Sequence, residues 1–260
     1  MRLIPCIEML YKTEHPDFIQ RFHAAKADGF DAVDTWLWRD KPIAAMADVV
    51  AETGVQVFSL CADPRASLVN SAEHATVLGA VRDAVPVARR LNGRGPAARI
   101  ILASGFGLPG QAESDMRANA VTVLREAARI AADGGATLLL EPVHMVIHGN
   151  LMAVRNIRQG LDIVEEVDHP ALQLLADVYH HAVDGQALED AFDSRTAALV
   201  GHVQVADYEG RHEPGTGSLP WAALLPLLKQ RGYTGAIGLE YLPSLPHAES
   251  LALTRRTLGL

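Results

Sequence analysis

The sequence predicts a single (β/α)8 TIM barrel occupying residues 1–260 as one domain. Three observations carry this expectation. Eight short β-like runs alternate with longer amphipathic stretches along all 260 residues. That length suits such barrels, which typically take roughly 250 residues. Finally, four acidic or amide residues fall where four successive apolar runs end: Glu141, Asp177, Gln204 and Glu240. Neighbours in this series are separated by about one strand–helix unit. In a parallel barrel these strand ends open on one face, where active sites are built.

Taken in order, the expected strands are Leu3–Ile7, Asp31–Thr35, Val55–Leu60, Arg99–Leu102, Ala136–Leu140, Ala171–Ala176, Leu199–Val205 and Ala236–Leu239. Each is a short apolar run rich in branched residues, as a strand covered on both faces requires. Between them, Asp17–Ala27, Pro42–Glu52, Glu73–Leu91, Asp115–Ala132, Leu151–Val167, Leu188–Phe192, Trp221–Gln230 and Ala248–Leu258 carry the 3.6-residue periodicity of helices. Glycines stop several helices: Asp28-Gly29, Thr53-Gly54, Asp133-Gly134-Gly135 and Arg231-Gly232. The segment 92–96 reads as a turn and not as a linker. The long connections 103–114, 142–150 and 206–220 all follow strands, so they would form the mouth.

Composition narrows the function classes. Hydrophobic residues make up 49% of the chain, enough for a sizeable core, and the formal net charge is −8. Phosphate binding rests on clustered Lys and Arg, so nucleic acid is not the expected partner. Cys6 and Cys61 are too few for a disulfide framework and read as small buried hydrophobes. The N-terminus shows no signal-peptide pattern and no apolar run reaches a membrane span. A cytoplasmic protein with no membrane partner is expected, and homo-oligomerisation stays open.

Four oxygen-bearing residues at one barrel mouth read as a divalent-metal site. Carboxylates with one amide oxygen suit Mg²⁺ or Mn²⁺ better than Zn²⁺, which prefers His and Cys. Glu141 and Glu240 follow apolar runs directly, where an unpaired carboxylate in the core would be costly. At the rim of a barrel each can instead be paired with a metal. His180, three residues after Asp177 on the same loop, could reach a substrate hydroxyl, whereas His181 is expected at the surface. His202 shares a strand face with Gln204 and is either a lower barrel layer or a donor backing the site. Arg211, in the loop after the seventh strand, could clamp an anion or hydroxyl.

The motifs Glu141-Pro142, Asp177-x-x-His180, His202-Val-Gln204, Arg211-His-Glu-Pro-Gly215 and Gly232-Tyr-x-Gly-x-Ile-Gly-x-Glu240-Tyr241 resemble those of hydroxypyruvate isomerases. These belong to the xylose-isomerase-like barrels, with ketose 3-epimerases and endonuclease IV as cousins. Weaker likeness lies in Met9-Leu10-Tyr11, Phe18-Ile-x-Arg21-Phe and Ala25-x-x-x-Gly29-Phe-Asp-Ala-Val33. The resemblance implies one divalent ion on Glu141, Asp177, Gln204 and Glu240, with the two glutamates shuttling protons and His180 and Arg211 touching substrate.

The chain departs from that pattern at the mouth. Asp34 replaces a usual glutamate, His144 a usual asparagine and Ser218 a usual glutamate, and the Cys61–Ala66 loop is short. Trp36 and Trp38 are candidates to line the pocket instead, and Trp36, His144 and His202 join the expected substrate contacts. The expected reaction interconverts a small hydroxy-ketone and hydroxy-aldehyde through a cis-enediolate, hydroxypyruvate to tartronate semialdehyde being the leading case. A ketose 3-epimerase or related lyase is the alternative. A non-catalytic barrel or an AP-endonuclease-like enzyme ranks lower.

Overall fold

The computed structural model describes residues 1–62, 65–147 and 149–260. Eight of its strands form one parallel sheet: β1 (Leu3–Pro5), β2 (Ala32–Leu37), β3 (Gln56–Cys61), β4 (Arg99–Ala103), β5 (Leu138–Glu141), β8 (Leu172–Asp177), β9 (Val200–Val205) and β10 (Ile237–Leu239). Their order around the sheet is β1-β10-β9-β8-β5-β4-β3-β2. A parallel bridge between Cys6 and Asp34 brings its two edges together, so the sheet curls into a barrel. The remaining two strands, β6 (Val146–Ile147) and β7 (Asn150–Leu151), form a separate antiparallel hairpin at the mouth.

Helices cover the outside: α1 (Gln20–Ala27), α2 (Ile43–Thr53), α3 (His74–Leu91), α4 (Glu113–Asp133), α5 (Ile157–Val167), α6 (Val178–Val183), α7 (Thr196–Leu199), α8 (Trp221–Gln230) and α9 (His247–Leu258). Alternation along each strand splits its side chains between two cores. One face joins the large cluster packed by the helices, for example Leu3, Val57, Ile100, Leu174 and Ile237. The other fills the barrel in small groups, Ile4, Ala32, Phe58 and Ala236 in one and Ile101, Leu139 and Leu175 in another. The expected glycine stops hold, with Gly29, Gly54, Gly135 and Gly232 all at positive φ.

Three expected elements need correction. The helix expected over Leu151–Val167 starts only at Ile157, because Leu151 pairs with Val146 in the hairpin and Asn156 caps the helix by accepting from Gln159 N at 3.1 Å. The stretch holding His180 and His181 is helix α6 and not a loop, started by the side chain of Asp177. The helix expected over Leu188–Phe192 is a single tighter turn at Leu188–Asp190, and the regular turn follows at Thr196–Leu199. Two residues of the short loop after β3, Asp63 and Pro64, and His148 of the mouth loop lie outside the described residues.

Candidate active site

β5, β8, β9 and β10 are neighbours in the sheet, and each carries one of the four expected residues at or near its C-terminal end. Glu141 ends β5, Asp177 ends β8, Gln204 is the penultimate residue of β9, and Glu240 follows β10 directly. The register sets Asp177 beside Gln204 and Gln204 beside Gly238, two residues before Glu240. Glu141 and Glu240 therefore bracket a row with Asp177 and Gln204 between them.

Ligand atoms of Glu141, Asp177 and His180 lie within 4.8 Å of one another. Asp177 divides its carboxylate between two tasks. Oδ1 caps α6, accepting from Tyr179 N at 2.7 Å and His180 N at 3.3 Å. Oδ2 faces the site, 3.7 Å from His180 Nε2 and 3.5 Å from Arg211 Nη2. Glu240 sits slightly apart, held by two donors: the Trp36 indole N–H at 2.7 Å on Oε1 and Arg211 Nη2 on Oε2.

These carboxyls stand in a poor environment for negative charge. Burial pushes the pKa of Glu141 well up, and the charges of Glu240 and Asp177 push it further. Burial also raises Glu240, with Arg211 opposing. His180 is lowered to about 4, first by burial and then by Arg211, so it is neutral at pH 7. Burial alone would lower Arg211, but Glu240, Asp177 and Glu141 outweigh it and raise it. Arg211 takes a left-handed φ of 54°, which for a non-glycine residue costs about 1–2 kcal/mol. Its loop is pinned by Asp207 N donating to His212 O at 2.8 Å and Arg211 N donating to Asp207 O at 3.1 Å.

The donor set fits a divalent cation. Gln204 Oε1 is buried without a hydrogen-bond partner, an arrangement that costs roughly 1–3 kcal/mol unless something binds the oxygen. Its strand end pairs with that of Asp177, and among the described residues Arg211 supplies the only guanidinium ion pairs to Asp177 and Glu240. A hard cation would satisfy the amide oxygen and the carboxylates together.

The other expected contacts divide. Trp36 touches Glu240. Trp38 turns away into a hollow against α3, under the Arg39 guanidinium at 4.4 Å. His144 stands near His180, but its Nδ1 engages Asp184 at 3.1 Å. His202 occupies the lower barrel layer: it is fully buried, its Nε2 pairs with Asp34 Oδ2 at 2.8 Å, and its ring lies 4.6 Å from that of Phe58. Asp34 also accepts from Ser59 Oγ at 2.6 Å. His181 is buried and not at the surface, accepting from Ile157 N at 3.3 Å and reaching Ala187 O at 3.0 Å. Cys6 is fully buried as expected, whereas Cys61 is half-buried beside a cavity. Sequence reasoning missed Tyr179, whose ring lies 5.1 Å from the Arg211 guanidinium carbon. No spacing rule connects those two residues.

A parallel barrel with three carboxylates, an amide oxygen and an arginine at its C-terminal mouth carries a candidate metal centre. Residues 22–257 match the model of the xylose isomerase-like TIM barrel family, and the chain belongs to that family. It is 30% identical over 258 residues to 2-oxo-tetronate isomerase of Cupriavidus necator, covering 97% of each chain. It is 27% identical over 236 residues to hydroxypyruvate isomerase of Escherichia coli, covering 87% of this chain and 88% of that one. Among solved structures, an AP endonuclease of family 2 from Brucella melitensis superposes with a TM-score of 0.84 at 23% identity, covering 96% of both chains. That likeness speaks for the fold alone. The full-length relatives are isomerases, and the chain is an isomerase of this barrel superfamily.

Proposed function

We propose that the protein is a metal-dependent isomerase interconverting a small hydroxy-ketone and hydroxy-aldehyde, with hydroxypyruvate to tartronate semialdehyde as the conversion to test first. The observation that carries this reading is the buried, unpartnered Gln204 oxygen on a strand end paired with that of Asp177, whose carboxylate lies within 4.8 Å of Glu141. Glu141, Asp177, Gln204 and Glu240 would hold one divalent cation, Mg²⁺ or Mn²⁺ in preference to Zn²⁺. When bound, such an ion supplies Lewis acidity toward a carbonyl oxygen.

The chain's own groups perform the proton transfers. One of Glu141 and Glu240 takes the proton from the carbon that carries the hydroxyl, and its electron pair forms the C=C bond of a cis-enediolate. A proton then returns to the former carbonyl carbon, the neighbouring hydroxyl gives up its proton to become the new carbonyl, and the former carbonyl oxygen takes that proton up to become the new hydroxyl. The pKa of each glutamate is raised, chiefly by burial, and a carboxylate with a raised pKa is the stronger base for taking a carbon-bound proton. Arg211 would meet a substrate carboxylate, and neutral His180 can donate to or accept from a substrate oxygen. Return of the proton to the opposite face of the same carbon would epimerise. The cavity beside Glu141, about 660 Å³, has room for a chain longer than three carbons.

The test is incubation of Mn²⁺-loaded protein with hydroxypyruvate and with four- to six-carbon ketoses in D2O. Deuterium should enter the product carbon. A loaded protein that exchanges no carbon-bound proton in any of these compounds would overturn the proposal.

A further inference from the structure

Glu141 stands at the edge of a cavity that runs from the carboxylate row toward the loops after β3 and β4. Its volume is about 660 Å³, within the roughly 300–1,000 Å³ of pockets that enclose drug-sized ligands. A three-carbon acid would fill only a fraction of it. Among the described residues the walls are mainly apolar: Ile101, Phe106, Leu108, Val143, Met145 and Met152. The polar groups on the wall are mostly engaged by the protein. Ser67 Oγ donates to Phe106 O at 3.0 Å. The Glu73 carboxylate accepts from Ser67 N at 2.6 Å and from Asn70 Nδ2 at 2.8 Å. Arg65 lies at the exposed rim, and the Cys61 thiol is half-buried. Gly105, at φ +74°, lets the loop after β4 lie against Ser67: a Cβ there would come within 2.6 Å of Ser67 Cα. The wall is thus built by close backbone approach.

Among the described residues few wall groups are placed to pair with the hydroxyls of a polyol chain, whereas an alkyl or deoxygenated chain needs none. Resting on the enolising site proposed above, we infer that the substrate is an α-hydroxy carbonyl compound whose chain continues past the reacting carbons as an apolar tail, seated in the arm between the loops after β3, β4 and β5. Short hydroxy acids occupy the head of the site alone and bind it weakly.

Hydroxamates bind divalent ions through the same two-oxygen head and isolate the tail. Calorimetry on the Mn²⁺-loaded protein would compare acetohydroxamate with hexanohydroxamate. One added methylene in an apolar pocket is worth roughly 10-fold or more, so hexanohydroxamate should bind at least about 10-fold more tightly. Leu108→Asp, with Leu108→Ser as the second variant should the first not fold, should bring the ratio of the two dissociation constants close to one. Equal or weaker binding of the longer probe to the native chain overturns the inference and leaves the enolising site intact. A preference that survives in the Leu108 variant places the tail elsewhere and also overturns it. If neither probe binds and no proton exchange is seen with any carbonyl compound, the proposed function fails and this inference with it.

Discussion

Glu240 is the residue on which the proposed chemistry turns, and its surroundings set its expected behaviour. Both oxygens already accept hydrogen bonds, one from Trp36 and one from Arg211. An amide can keep the Trp36 bond, so Glu240→Gln should fold. It removes the base, and turnover should fall by roughly 10²–10⁴-fold. A steady-state rate above about a tenth of the native one would show that Glu240 takes no proton. Arg211 offers a second test. A charge-assisted bond to a substrate carboxylate is worth about 1.5–3 kcal/mol, against about 0.5–1.5 kcal/mol for an ordinary one. Arg211→Ala should therefore lower kcat/KM on keto acids about 10- to 150-fold and on neutral ketoses much less. Equal losses on both classes would mean that Arg211 shapes the carboxylate row and reads no anion. Gly238 matters for packing. A Cβ there would lie 2.7 Å from His202 Nε2 and 2.8 Å from Asp34 Oδ2, so Gly238→Ala should destabilise the fold by about 1–3 kcal/mol in a denaturant midpoint.

At the scale of elements, Asp184 joins three pieces of the mouth. It ends α6, accepts from Asn156 Nδ2 at 2.8 Å and Arg155 Nε at 3.1 Å before α5, and meets His144 Nδ1 in the loop after β5. Burial works against its charge, but these donors win and hold its pKa below the usual carboxylate value. A depressed carboxylate contributes stability that is present above its unfolded pKa and lost as pH falls through the folded one. The native chain should therefore lose stability progressively below about pH 4, and Asp184→Asn should flatten that part of the melting-temperature profile. A profile identical in both proteins would remove Asp184 from the acid response. The eight strands were legible because short apolar runs alternate with 3.6-periodic stretches along this sequence, and so was the carboxylate row, which depends only on strand ends. The start of α5 was missed: the Asn156 side chain caps Gln159 N, while Gln159 Oε1 accepts from Arg155 N at 2.9 Å. The apolar pattern beginning at Leu151 masks this signal. Helix α6 was not legible. Val178-Tyr179-His180-His181 has weak helix propensity, and the helix rests on the Asp177 cap and on burial of Val178, His180 and His181. The Asp34–His202 pair links residues 168 positions apart, a contact that only barrel closure creates.

For the molecule as a whole, the carboxylate row concentrates negative charge in a chain already at −8. On the proposed function, a bound cation stabilises the folded state by mass action. At about 100 times its dissociation constant it adds about 2.7 kcal/mol, or about 5–10 °C in Tm for a domain near this size. Mn²⁺ should raise Tm by that amount and chelation should reverse it, whereas a Tm indifferent to both would count against a metal centre. The barrel's closure has a different consequence. Beyond the end of β1, Cys6 N donates to Leu239 O on one side and Ile7 N donates to Asp34 O on the other, each near 3 Å, and the Cys6–Asp34 bridge is all that joins β1 to β2 as strands. That junction is the weak line of the barrel wall. In native-state hydrogen exchange, the Ile7 amide should lose protection at lower free energy than amides of β8, which pairs with strands on both sides. Because Asp34 lies on this line and also holds His202 beneath Gln204, an opening there would loosen the floor of the active site while the outer helices stayed in place.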